Sequence, residues 1–261
     1  MSAKEQFFDY AAEVGLTKHL GGMAATDEMV RLCAISAGSY VLDVGCGVGV
    51  TPCYLVKKYA CRVVGVDIHP GMVERSKERA QREGVADQTE FRVADAQELP
   101  FEAELFDAVI TESVTAFPKD KQKAVCEYAR VTRPGGYIGL NESTWLKVPP
   151  TPEIIAWASQ DLGATVKPLT QEEWTGLLQA AGLQDIVVRV SEISVSDESK
   201  GIMQRYGMGG MLRIISRTLR LYTRSSNYRQ FVKEVRQDGI TPENITEYFG
   251  YGMYVGRKAE N

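Results

Sequence analysis

The chain has 261 residues, 44% of them hydrophobic and 25% charged, with a net charge of −4. That composition suits one globular domain with a sizeable core, the negative balance argues against a nucleic-acid partner, and no apolar run reaches the roughly 18 residues of a membrane span. The first six residues lack the apolar core of a signal peptide, and the cysteines, five in number with no CxxC pair, read as reduced core residues of a cytosolic protein.

Residues 4–14 mix charges with Phe7, Phe8 and Tyr10 and predict a short amphipathic helix. His19-Leu20-Gly21-Gly22 interrupts it. Thr26, followed by Asp27 and Glu28, reads as the N-cap of a helix to about residue 34. Residues 40–44 are a first strand. Gly45, Gly47 and Gly49 then form a loop, and Pro52 sits in the first turn of a helix to about residue 59. Residues 62–67 form a near-continuous apolar strand, as in a parallel sheet covered on both faces. A helix over 70–82 stops at Gly84. Strands follow at 89–94, 106–111 and 137–141, with a helix over 119–131 and a tight turn at Arg133-Pro134-Gly135-Gly136. The region 145–168 is a proline-broken connection with a short helix at 153–162. Thr170 caps a helix ending near Gly182, 185–193 is a sixth strand, and 246–257 is a closing seventh. Strands and helices alternate, which is the doubly wound α/β pattern. The chain thus reads as a single domain. Residues 1–36 are cover helices, 37–196 and 246–261 the sheet core, and 197–245 a helical insertion.

The segment 41–49, Val-Leu-Asp-Val-Gly-Cys-Gly-Val-Gly, is the feature around which the rest is arranged. Glycine at every second position allows a sharp turn and leaves no Cβ against a ligand. Asp43 ends a strand where open α/β sheets bind ligands. A purely steric turn is the alternative. Asp67 ends the next strand as a ribose-binding acid should, and the spacing Gly45-x-Gly47-x-Gly49 differs from the dinucleotide pattern. That disfavours a nicotinamide oxidoreductase and suits a cationic ligand without pyrophosphate.

Five stretches, in order, resemble the class I S-adenosylmethionine-dependent methyltransferases, small-molecule branch, near the quinone C-methyltransferases. They are the glycine loop with Asp43, Val66-Asp67, Ala94-Asp95-Ala96 with Leu99-Pro100-Phe101, Phe106-Asp107-Ala108-Val109, and Arg133-Pro134-Gly135-Gly136. The resemblance covers residues 37–142 strongly. It implies a Rossmann-like, mostly parallel seven-stranded sheet closed by a C-terminal hairpin. It implies S-adenosylmethionine as cofactor, released as S-adenosylhomocysteine. Asp43, Gly45, Gly47 and Gly49 would hold its methionine end, and Asp67 its ribose hydroxyls, with Ile68 on the adenine. Asp95 would accept from the adenine amine beside the Ala96 N–H. Glu112 and Ser113 would face the sulfonium region and the acceptor.

Methyl transfer from a sulfonium needs proximity and orientation first. A base is needed only where the acceptor must lose a proton, and the candidates are His19, Glu112, Glu142 and the tyrosines Tyr10, Tyr206 and Tyr251. His69 reads as an exposed loop residue. No histidine or carboxylate pattern suggests a metal. Residues 200–236 carry nine basic side chains against one acid, a local charge of +8 that leaves −12 elsewhere. Met211, Leu212, Ile215, Leu219 and Tyr222 share one helical face, and Arg213, Arg217, Arg220 and Arg224 another. Packing on the core as a lid is the leading reading. Peripheral membrane contact and a homodimer interface are the others. The expectation is a methyltransferase for a small, apolar acceptor such as a quinone or lipid. The alternatives are an N-methyltransferase of a small amine and a non-catalytic cofactor-binding or scaffold protein.

Overall fold

The computed structural model describes residues 3–161, 168–193, 195–237, 242 and 244–260. Two helices, α1 (Ala3–Val14) and α2 (Gly22–Leu32), precede β1 (Tyr40–Val44), α3 (Val50–Tyr59), β2 (Arg62–Asp67), α4 (Pro70–Glu83) and β3 (Thr89–Val93). Then come β4 (Phe106–Glu112), α5 (Lys121–Val131), β5 (Thr132–Trp145), α6 (Pro152–Asp161), β6 (Leu169–Thr170), α7 (Gln171–Ala180) and β7 (Leu183–Glu192). The insertion is α8 (Val195–Arg224) and α9 (Ser226–Gln237), after which α10 (Ile245–Tyr248) leads into β8 (Phe249–Lys258).

The sheet order is β3-β2-β1-β4-β5-β8-β7, and β8 runs antiparallel to both of its neighbours. The order reverses between β1 and β4, so the carboxyl ends of these strands open a crevice. The two-residue β6 pairs with the end of β5, giving eight strands where seven were expected. So short a strand leaves no alternation to read.

Strand side chains alternate between two apolar layers. Val41, Val63, Ala108 and Ile110 face Met29, Cys33, Leu55 and Val73. Leu42, Val44, Val64, Val66 and Val109 face Tyr128, Trp174 and Tyr254. Trp174 also donates from Nε1 to the Ser143 carbonyl (3.0 Å). Cys33, Cys46, Cys53 and Cys61 are buried thiols, whereas Cys126 is exposed and not the core residue expected.

The predicted start of the second helix is corrected. Thr26 lies inside α2, fully buried, and the helix starts after Gly21 at φ 75°. Thr-Asp-Glu has the local chemistry of a cap, but the Thr26 hydroxyl is drawn to a carboxylate across the fold. The capping box Thr170/Glu173 at α7 is formed as read.

A Cβ on Gly139 would lie 2.2 Å from Met29 Sδ and 2.7 Å from Cys33 Sγ, so α2 reaches β5 only because this position is bare. Gly139→Ala is expected to cost about 1–3 kcal/mol by overpacking. Denaturant titration should show a lower midpoint with an unchanged slope.

Candidate active site

The glycine loop lies between α4 and the N-terminal segment. Gly45, Gly47 and Gly49 have φ of 74°, 54° and 75°, which favours glycine on backbone grounds alone. Added Cβ atoms would also meet protein neighbours, Val114 at Gly45, Thr17 at Gly47 and Ser76 at Gly49. From α4, Ser76 Oγ donates to the Gly47 carbonyl (2.8 Å) and Arg79 Nε to the Val48 carbonyl (2.8 Å). Asp67 Oδ2 accepts the Gly47 N–H (2.9 Å) and Oδ1 the His69 N–H (2.9 Å).

His69 is half-buried rather than a free loop residue. Its Nδ1 accepts the Gly71 N–H and caps α4, and its Nε2 pairs with Asp9 of α1 (2.9 Å). The cover helix is thereby fastened next to the second strand-end acid. Ile68, beside it, is 69% exposed, a large apolar side chain held out at the crevice rim. Asp95 accepts from the Gln97 N–H (2.8 Å), and Ala96 is buried.

Glu112 ends β4 with both oxygens engaged. Thr26 Oγ1 donates to Oε1 (2.7 Å), Thr51 Oγ1 donates to Oε2 (2.7 Å), and His19 Nε2 lies 3.4 Å from Oε2. His19 is buried, with Nδ1 3.1 Å from the Leu20 carbonyl and Nε2 3.2 Å from Thr26 Oγ1. Burial lowers its pKa to about 4, Glu112 opposes the shift, and Arg205 adds to it. Both ring nitrogens thus face protein oxygens.

Glu142 was one of the candidate bases. It is wholly buried and turned to the chain after β4. Oε1 accepts the N–H groups of Val114 (3.0 Å) and Thr115 (2.6 Å), and Oε2 that of Ala116 (3.3 Å). Burial raises its pKa to about 7. It holds the loop that bears Ser113, a non-glycine residue at φ 60°. Ser113 Oγ accepts the Leu20 N–H (3.2 Å), and Asn141 Nδ2 donates to the Leu20 carbonyl (2.8 Å). Tyr206 Oη donates to the Thr17 carbonyl (2.7 Å) and accepts the Thr17 N–H (2.8 Å). Tyr10 packs instead on Tyr228 and Phe231, and Tyr251 lies against Gly21.

Two charged groups are left over. Asp43 is buried with Oδ2 unpartnered, and its pKa is pushed well up by burial and then by Glu112, with Arg205 opposing. Arg205, on α8, has Nε and Nη1 buried without a partner among the described residues. Sequence reasoning counted Arg205 only as one of nine basic residues, and it missed Thr17, Thr26, Thr51 and Asn141. Thr26 carries a capping pattern that points elsewhere, and the others carry no local motif. Among the described residues no group of His, Cys, Asp or Glu could hold a metal ion.

The donors and acceptors here fit S-adenosylmethionine. An orphaned carboxylate suits a cationic ligand, acids stand at or next to the ends of β1, β2 and β4 with Asp95 just beyond β3, and an exposed Ile68 offers an apolar platform. The cofactor supplies a methyl group already activated on a sulfonium. Asp43 and the loop would hold its methionine end, and Asp67 its ribose.

Because burial raises the Asp43 pKa, a cation bound there should lower it and favour loss of a proton. Calorimetry of S-adenosylmethionine binding in buffers of different ionisation enthalpy should show proton release and tighter binding as pH rises. Asp43→Asn should abolish the release and weaken binding roughly 10–100-fold. His19 gives a stability signal of its own. Its folded pKa lies below the unfolded 6.5, so the unfolded chain takes up the proton first as pH falls. Stability should be intact above 6.5 and fall by roughly 3 kcal/mol towards pH 4. His19→Gln should flatten that decline in denaturant titrations.

Residues 42–140 match the family described as "Methyltransferase domain". The chain is 30% identical to an uncharacterised Haemophilus influenzae protein over 88% of this chain and 92% of that one. It is 32% identical to the 27-O-demethylrifamycin SV methyltransferase of Amycolatopsis mediterranei over 61% of this chain, and it spans 59% of that enzyme's length. Among solved structures, Haemonchus contortus phosphoethanolamine N-methyltransferase 2 with S-adenosyl-L-methionine superposes with TM-score 0.69 at 20% identity, covering 99% of this chain and 58% of that one. The chain belongs to the class I S-adenosylmethionine-dependent methyltransferases.

Proposed function

We propose that this methyltransferase acts on a hydroxyl of a small, largely apolar acceptor, such as a reduced quinone or a phenolic lipid. The observation that carries this reading is the charge balance beside Asp43. Glu112 is engaged by Thr26 and Thr51, and Glu142 by backbone N–H groups, so neither carboxylate is free to hold an ammonium. Of the two charged groups left over, the positive one is Arg205, whose Nε and Nη1 are buried without a partner among the described residues. A cation there favours an acceptor oxygen that develops negative charge as it loses its proton. An apolar cluster lies next to the glycine loop. Ala12, Val48, Val50, Met72, Tyr206 and Ile214 form one cluster between the cover helix, the glycine loop and α8. The similarity to an enzyme named for restoring an O-methyl group supports the same reading.

An amine that carries its own anionic group is the second reading. Arg205 would then hold the anion, and the fold is shared with a phosphoethanolamine N-methyltransferase.

S-adenosylhomocysteine release is to be assayed against a panel of quinols, phenols and amines, with the methylated atom located by mass spectrometry. O-methyl products are expected. Arg205→Met should lower kcat roughly 10–100-fold and move the rate's rise to higher pH, while Arg205→Lys restores some of each. An unchanged rate and pH profile in Arg205→Met, or N-methyl products alone, would overturn the hydroxyl reading.

A further inference from the structure

The helix α8 bends at Gly207, where φ 60° and ψ 175° are non-helical. Its first half brings Arg205 and Tyr206 to the site. Its second half, residues 208–224, is about 25 Å long and has two unlike faces. The inner face is fastened. Ile214 is buried, Met211 packs beside it, and Arg217 pairs with Glu78 of α4 (3.7 Å).

Of the face read as a lid's packing surface, Met211 does pack inward, whereas Leu212, Ile215, Leu219 and Tyr222 are turned to solvent and joined there by Met208. Met208, Leu212, Ile215, Leu219 and Tyr222 follow one another at spacings of four and three, and each is between 46% and 80% exposed. Five large apolar side chains in one unbroken stripe exceed the scattered exposure normal for a monomer.

Charge indicates what covers the stripe. Arg213, Arg220 and Arg224 flank it, exposed and without an acidic partner among the described residues. Arg82, Arg213 and Arg217 act against one another's charge, which lowers the Arg82 and Arg217 pKa values after the larger effect of desolvation. Residues 201–233 contain no Asp or Glu at all. A two-fold contact with a second copy of this helix would therefore set arginines against arginines, since such an interface uses one patch twice. An anionic lipid surface meets both requirements, taking the apolar stripe into the acyl boundary and the arginines at the headgroups. Among the described residues no helix is long and apolar enough to cross a membrane.

We infer that residues 208–224 form an interfacial helix that docks this enzyme on an anionic membrane surface. The inference does not depend on which acceptor atom is methylated. Docking would place the residues just before the bend, Arg205 and Tyr206, near the bilayer, from which an apolar acceptor can enter.

The test is flotation of the full chain with vesicles of phosphatidylcholine alone or mixed equally with phosphatidylglycerol, at low and moderate salt. Binding is expected only to the mixed vesicles, weakened by salt. It should fall roughly tenfold or more in Leu212→Glu/Leu219→Glu. That variant should keep wild-type S-adenosylhomocysteine binding and thermal melting. Three results would overturn the inference. They are no binding to anionic vesicles, binding unaffected by the double substitution, and a concentration-dependent dimer that the substitution dissociates without any vesicle binding. S-adenosylhomocysteine binding on the same samples keeps a failure here separate from a failure of the transferase reading.

Discussion

The buried carboxylate of Glu112 is the point on which the site is assembled. It ends β4, next to the strand reversal, and draws hydroxyls from two helices that never touch it in sequence, Thr26 from α2 and Thr51 from α3. A carboxylate taken from water needs such donors, because an unpaired buried charge costs several kcal/mol. Meeting that need fixes where α2 lies. Once α2 is placed, His19 and Leu20 are carried over the strand ends, where Ser113 and Asn141 clasp the Leu20 backbone. The N-terminal cover is thus an electrostatic consequence of one acid at the end of one central strand.

Glu142 has the matching role on the adjacent strand, β5. Its oxygens gather the N–H groups of Val114, Thr115 and Ala116, which stabilises a loop that enters through a positive-φ serine. Backbone strain of this kind persists only where the surroundings over-determine it. The strain sits at Ser113, beside the crevice, while its support lies in the core behind. The two glutamates look alike in sequence, yet Glu112, at the end of β4, organises the cover and Glu142, inside β5, the loop.

That contrast marks what was legible beforehand. The central strands could be read because burial on both faces makes Val41–Leu42, Val63–Val64 and Val109–Ile110 apolar in both parities. Their acids could be read because the glycine loop sets a reference point. Thr26 could not be read as the Glu112 partner, since its neighbours Asp27 and Glu28 satisfy a local capping pattern that the tertiary contact overrides. Arg205 was equally hidden. Nothing nearby in sequence separates it from Arg213 or Arg220, and only the bend at Gly207 turns it inward while they stay in water. The apolar stripe was visible as a period, but a period does not say which face meets the core. Ile214, absent from that stripe, supplied the inner contact.

The charge of the molecule is divided along the same bend. The catalytic body carries the negative excess, with Asp43 left uncompensated for a cationic cofactor. The insertion carries the positive excess, and it splits into one arginine facing the site and several facing outward. Gly207 allows this division because its φ of 60° is open to glycine at little cost, so two helical segments joined at the bend present two unrelated surfaces. A straight α8 would have to aim Arg205 and the stripe by a single rotation, and a helix turn of 3.6 residues ties those directions together. With the bend, the inward arginine can answer to the acceptor's chemistry and the outward stripe to the surface from which it comes, each without disturbing the other.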